Sequence, residues 1–245
     1  MKTLFYILLF YIMQSRVAGY VNINVLGTGL YLPYSLGVLG YIKKNINIPE
    51  YKITGISGGA WISLMYCLED DLSDYEKIWS YIVDEKDYKI GLNRQLGNYI
   101  DKVSINLTKR YNYIEPDVIK SLPLSIISTK ITNKIIPKNV KISEFDNIGD
   151  LIEHCSCSSY IPYLSGKSIC KKYKGEYFID GSIYDNKEYI KTEGIPSIDI
   201  HRKMWGRNFD ISNIFYSDYK TSEKLFKYGW DDTEKNKDEI ERLIG

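Results

Sequence analysis

Hydrophobic and polar residues alternate over Tyr20-Val21-Asn22-Ile23-Asn24-Val25-Leu26, the period of a β-strand, and Gly27-Thr28-Gly29 breaks the pattern. Pro33 then suits the first turn of a helix, where no amide donor is needed, and Leu36, Val38, Leu39, Tyr41 and Ile42 follow at helical spacing. The same unit recurs at once. Tyr51-Lys52-Ile53-Thr54 predicts a second strand, Gly55-Ile56-Ser57-Gly58-Gly59 interrupts it, and the apolar run Ala60-Trp61-Ile62-Ser63-Leu64-Met65-Tyr66 predicts a second helix. Two strand–loop–helix units in succession point to an α/β fold with a parallel, doubly wound sheet, because parallel neighbours need a crossover between them. Ligands in such sheets bind beyond the carboxyl ends of the strands, where both glycine loops fall.

The pattern loosens downstream. Residues 73–136 read as mainly helical, with weak periodicity over 88–99, and residues 148–155 suit either a helix or the approach to a strand. Tyr177-Phe178-Ile179 predicts a short strand ending at Asp180-Gly181, and Pro196-Ser197-Ile198-Asp199-Ile200 alternates as another. From Ser222 the chain predicts a helix that becomes highly charged after Trp230, with Lys235 and Glu239, and Lys237 and Glu241, one turn apart. No internal repeat or low-complexity linker divides it, so residues 20–245 are expected to form one domain behind a hydrophobic N-terminal segment, residues 1–19. In that segment Lys2 precedes an apolar run, and Val17-Ala18-Gly19 offers small residues for cleavage, which fits a signal peptide. An uncleaved anchor and a first element packed on the domain are the other readings. Localisation follows the choice: membrane-associated or secretory in the first two cases, cytoplasmic with peripheral membrane contact in the third.

Composition narrows the partners. Lys and Arg number 32 against 31 Asp and Glu, a balance that argues against a nucleic-acid binder, for which a basic excess is expected. The four cysteines contain no C-x-x-C, and with only two histidines the chain lacks the ligand pattern of a structural zinc site. Free buried thiols are the expected state, with a Cys157–Cys170 disulfide as the alternative in an oxidising compartment.

The glycine loops carry the chemistry. G-x-S-x-G sets Ser57 on a sharp strand-to-helix turn, and Gly55 and Gly59, without a Cβ, relieve the crowding around it. A serine hydroxyl is a poor nucleophile unless a base takes its proton. His201 would complete a serine–acid–histidine order with Ser57 and Asp180. Asp180, ending a strand and followed by Gly181, also presents a carboxylate at the sheet edge of Ser57 and can accept the proton directly. The developing oxyanion needs donors: the backbone N–H groups of Gly27, Gly29 and Leu30, between the first strand and helix, and that of Gly58, the residue after the serine. A bare G-x-G also occurs in nucleotide loops, but position 32 is leucine, so the dinucleotide pattern is incomplete, and no Walker-type lysine follows.

Taken in order, these motifs resemble the patatin-like phospholipase family of serine–aspartate acyl hydrolases. Gly27-Thr28-Gly29-Leu30, followed by Tyr34 and Gly37-Val38-Leu39, resembles its glycine-rich loop and first helix, and Gly55-Ile56-Ser57-Gly58-Gly59 its nucleophile elbow. Cys157-Ser158-Ser159-Tyr160-Ile161-Pro162 with Gly166 is similar to the segment before the aspartate strand, and Asp180-Gly181-Ser182 with Asp185-Asn186 to the aspartate motif. Leu32 and Ser182 depart from the family, which often has glycine at the first position and usually glycine or alanine at the second. The resemblance implies a three-layer α/β/α fold with a mainly parallel central sheet. It implies a Ser57–Asp180 dyad that cleaves carboxylic esters of phospholipids or acylglycerols through an acyl-enzyme, at a membrane or droplet surface. No metal or organic cofactor, no nucleic acid and no obligate protein partner is implied. A Ser57-Asp180-His201 triad esterase and a catalytically degenerate lipid-binding protein stand as alternatives.

Overall fold

The computed structural model describes residues 20–85, 88–91, 96–132, 136–184, 187–190, 193–209 and 216–244. The N-terminal segment 1–19 and the Asp185-Asn186 pair lie outside the described residues. The strands are β1 (Val21–Val25), β2 (Tyr51–Ile56), β3 (Lys89–Gly91), β4 (Leu124–Ile131), β5 (Pro137–Ile142), β6 (Lys171–Tyr173), β7 (Glu176–Ile179), β8 (Ser197–Ile200) and β9 (Tyr216–Asp218). The helices are α1 (Leu32–Asn45), α2 (Gly58–Leu68), α3 (Tyr75–Ile82), α4 (Leu96–Tyr111), α5 (Pro116–Ser121), α6 (Ile148–Ser158), α7 (Lys187–Ile190), α8 (Tyr219–Lys235) and α9 (Lys237–Ile244).

A mostly parallel central sheet, flanked by helices, organises the chain. Strands β8, β1, β2 and β4 lie side by side and parallel, which requires the crossovers that α1 and the helices after β2 supply. Strand β1 is buried along its whole length despite its alternating sequence. Its polar position Asn24 meets protein, not water: the side-chain amide donates to Asp199 Oδ1 at 2.7 Å and to the Ile190 carbonyl at 3.3 Å. A buried amide keeps its place only with such partners.

The region read as mainly helical, residues 73–136, is corrected in part. Helices α3, α4 and α5 fall there, but so do β3 and the central strand β4. Leu124-Ser125-Ile126-Ile127-Ser128-Thr129 is a short apolar run whose burial on both faces erases the period that would mark it as a strand. Strand β4 is the hinge of the sheet. Strand β2 pairs with its first half at residues 124–127, and β5 pairs with residues 126–131 from the opposite edge. Strand β7 therefore shares the β2 edge, pairing antiparallel with residues 129–131.

Helices α1 and α8 cross in close contact. A Cβ on Gly37 would lie 2.1 Å from the Phe226 carbonyl oxygen, and one on Gly229 would lie 2.0 Å from that of Tyr34. Beside this crossing, Asp232 accepts from Tyr34 Oη at 3.1 Å and from Arg207 through two bonds of 2.6 and 2.5 Å. All four cysteines are free thiols, with Cys155 and Cys157 buried. No helix among the described residues is long and apolar enough to cross a membrane.

Candidate active site

Strand β4 aligns two strand ends. Ile56, the last residue of β2, stands opposite Ile127, and Ile179, the last of β7, stands opposite Thr129. Because β2 and β7 run towards each other along one edge, their next residues, Ser57 and Asp180, converge. Ser57 Oγ donates to Asp180 Oδ2 at 2.5 Å, and both residues are buried, 7 % and 3 % exposed.

The serine occupies a strained turn. Its φ of 54° and ψ of −129° lie in the left-handed half of conformational space, which costs a non-glycine residue on the order of 1–3 kcal/mol. Close packing on either side holds it there. A Cβ on Gly55 would come within 2.5 Å of Ala60 Cα, and one on Gly59 within 2.2 Å of the Val25 carbonyl oxygen. The Ser57 amide donates to Ser158 Oγ at 2.8 Å, and the Ser158 hydroxyl in turn donates to the Ile127 carbonyl at 2.6 Å. Helix α2 starts at Gly58, so the hydroxyl lies at its positive end.

The end of α6 also braces the aspartate. Its amide donates to the Tyr160 carbonyl at 2.8 Å, and the Gly181 amide donates to that of Ser158 at 3.0 Å. A side chain on Gly181 would collide with the Ile127 carbonyl, 2.2 Å away. The Ser182 amide donates to Asp180 Oδ1 at 2.7 Å, which leaves Oδ2 for Ser57. Burial pushes the Asp180 carboxyl above the ordinary aspartate range, and the hydrogen bonds from Ser57 and Ser182 only partly oppose it. A desolvated carboxylate in contact with a hydroxyl can take its proton as the oxygen attacks an electrophile.

The loop after β1 completes the cluster. Gly29 has a φ of 53° with no atom within 4 Å of the place a Cβ would take, so this side of the loop is open. The amides of Gly27, Gly29, Leu30 and Gly58 donate to no other described residue, as expected at the start of the 3-10 turn Gly29–Tyr31 and of α2. A Cβ on Gly27 would fall 2.0 Å from Ser182 Oγ and 3.6 Å from Ser57 Cβ, which puts this glycine against the dyad. Thr28 Oγ1, buried without a hydrogen-bond partner among the described residues, lies beside Gly58.

His201 is not part of this cluster. It follows β8, which β1 separates from β2, and its Nδ1 accepts from the Lys203 amide at 3.2 Å. His154 is buried on α6 with Nε2 3.5 Å from Asp150 Oδ1, a packing role. Among the described residues no group of three or more His, Cys, Asp or Glu is placed to hold a metal ion. Ser158 and Tyr160, which hold Ser57 and Asp180 in place, stand out in the sequence only as part of the segment before the aspartate strand, which predicts no contact with Ser57. The 101-residue separation of Ser158 from Ser57 hides the contact.

A family model described as patatin-like phospholipase matches residues 26–188, a span that includes both glycine loops and Asp180-Gly181. Among solved structures, VipD from Legionella pneumophila is similar at 13% sequence identity with a TM-score of 0.44. The likeness covers 73% of this chain and 49% of that one, so the chain spans about half of that protein's length. A comparison with curated proteins finds no match.

Proposed function

Because this chain belongs to the patatin-like phospholipase family, whose members act on lipid substrates, we propose that it is a lipid acyl hydrolase with Ser57 as nucleophile and Asp180 as base. The observation that carries the reading is the buried 2.5 Å contact between Ser57 Oγ and Asp180 Oδ2. Ser57 Oγ attacks the ester carbonyl carbon while its proton passes to Asp180 Oδ2. The amides of Gly29, Leu30 and Gly58, with Gly27 at the base of the loop, receive the oxyanion; unpaired donors fixed before the reaction need no reorganisation as charge develops. The tetrahedral species collapses as Asp180 returns the proton to the leaving alcohol oxygen, leaving the acyl group on Ser57. Water, deprotonated by the same carboxylate, then releases the fatty acid. The substrates are carboxylic esters of phospholipids or acylglycerols presented at a membrane or droplet surface, and no step calls on a metal or organic cofactor.

The test is product analysis by mass spectrometry on a mixed lipid panel, with and without chelator. Free fatty acid should appear in both, and Ser57→Ala and Asp180→Asn should each lower kcat/KM by at least about a thousandfold. His201→Ala should keep activity. Activity retained by Asp180→Asn would sink the dyad. Failure of a fluorophosphonate to label Ser57 in the folded protein would favour a lipid-binding protein without catalysis.

A further inference from the structure

An apolar cavity starts at the glycine loop and runs into the core. Its first lobe is lined by Gly29, Leu30 and Leu32 at one end and by Trp79, Ile82 and Ile90 beyond. A second lobe lies among Trp61, Met65, Ile100, Val103 and Leu107. Leu32, Ile82 and Tyr99 line both lobes and so form the partition between them. Ser217 and Ser222 in the first lobe pair their hydroxyls at 2.7 Å, so that part of the wall offers little to a polar guest. Two wider surface clefts, of about 460 and 600 Å³, are lined by no residue of either glycine loop.

Leu32 ties the cavity to the reactive centre. Its Cδ1 stands 3.5 Å from the place a Cβ on Gly58 would take, beside the amide that follows the nucleophile. A carbonyl whose oxygen sits on the amides of Gly29, Leu30 and Gly58 would therefore have its substituent at the Leu32 end of the cavity. The free volume is small, about 30 Å³ in the first lobe and about 20 Å³ in the second. A water-sized group needs roughly 10–15 Å³ of such space, so the first lobe admits two or three methylenes and the second one or two before a side chain has to move. Dry apolar cavities of this kind take apolar guests, and each methylene buried contributes about fourfold in binding until the wall is reached.

We propose that this two-lobed cavity is the acyl-chain site and that Leu32, with Tyr99 behind it, restricts the enzyme to short acyl chains. The proposal rests on the hydrolase reading above and adds the substrate class.

The experiment measures kcat/KM on p-nitrophenyl esters from acetate to palmitate. For the wild type it should rise about fourfold per carbon over the first few carbons and fall beyond about six. Leu32→Ala should raise the ratio of dodecanoate to butyrate activity at least about tenfold, and Val103→Leu, which adds one methylene to the second lobe, should lower it. A profile that neither substitution moves overturns the proposal. A second arm uses Ser57→Ala protein and displacement of a fluorescent dodecanoic acid by octanoate and by hexadecanoate. Octanoate should compete better, and Leu32→Ala in that background should reverse the order. If the wild type hydrolyses no ester, the hydrolase reading falls and this arm decides alone: competition weakened by Val103→Leu supports the acyl site, and no competition overturns it.

Discussion

Ser57 and Asp180 illustrate how a residue's chemistry is set by its surroundings. An aspartate in water titrates near 4, but burial raises that of Asp180, and a base works only when deprotonated. The acid limb of kcat/KM should therefore lie above the ordinary aspartate range, and a pH–rate profile on a soluble ester checks it. The same shift has a consequence for stability. The folded protein holds the Asp180 proton more tightly than the unfolded chain, so stability is lost as pH rises from the unfolded pKa through the folded one. Asp180→Asn removes that loss. It should melt higher than the wild type at neutral pH and lose the advantage at low pH, where the wild-type carboxyl is protonated too. Thermal midpoints across pH decide this, and an advantage independent of pH would refute the charge account.

At the scale of elements, the site is made by the meeting of β2 and β7 along β4 and by the end of α6 beneath them. Ser158 is the joint: it accepts from the Ser57 amide and donates to the Ile127 carbonyl, and it is fully buried. Ser158→Ala leaves that amide without a partner, which should cost about 1–3 kcal/mol, or some 2–4 °C of melting temperature for each kcal/mol in a domain of this size. It should also let the elbow drift, lowering kcat on the order of tenfold to a hundredfold with little change in KM. Loss of stability without loss of kcat would make Ser158 a packing residue only. The two strand–loop–helix units around Ser57 were legible in the sequence because glycine loops punctuate them. Strand β4 was not, since a short apolar run buried on both faces has no distinguishing period.

Across the whole molecule, the long helix α8 is tied to α1 through Asp232, Tyr34 and Arg207. Tyr34 is fully buried, and the charge pair draws the Arg207 pKa upward. Arg207→Met leaves the Asp232 carboxylate buried without its cation. Because 27% of the Arg207 side chain is exposed, the cost should fall near the low end for such pairs, about 3 kcal/mol. A fall of about 6–12 °C in melting temperature, with ester hydrolysis in the cold unchanged, is the expected result. A loss of hydrolysis in the folded variant would mean that this tie also shapes the site.

By itself the sequence determined which atoms were available and where the chain must turn. Gly55 to Gly59 and Gly27 to Leu30 are local signals, written by the absence of a Cβ and by the strand and helix patterns beside them. It also offered two bases for one serine, Asp180 and His201, and only the family resemblance, not the local patterns, favoured the first. The tertiary structure decided which of them lies beside the serine, because only the pairing of β2 and β7 on β4 sets distances between residues more than a hundred positions apart. That pairing brings Asp180 into contact with Ser57 and leaves His201 beyond β1, while Leu32 comes to lie beside Gly58, the next residue of the turn.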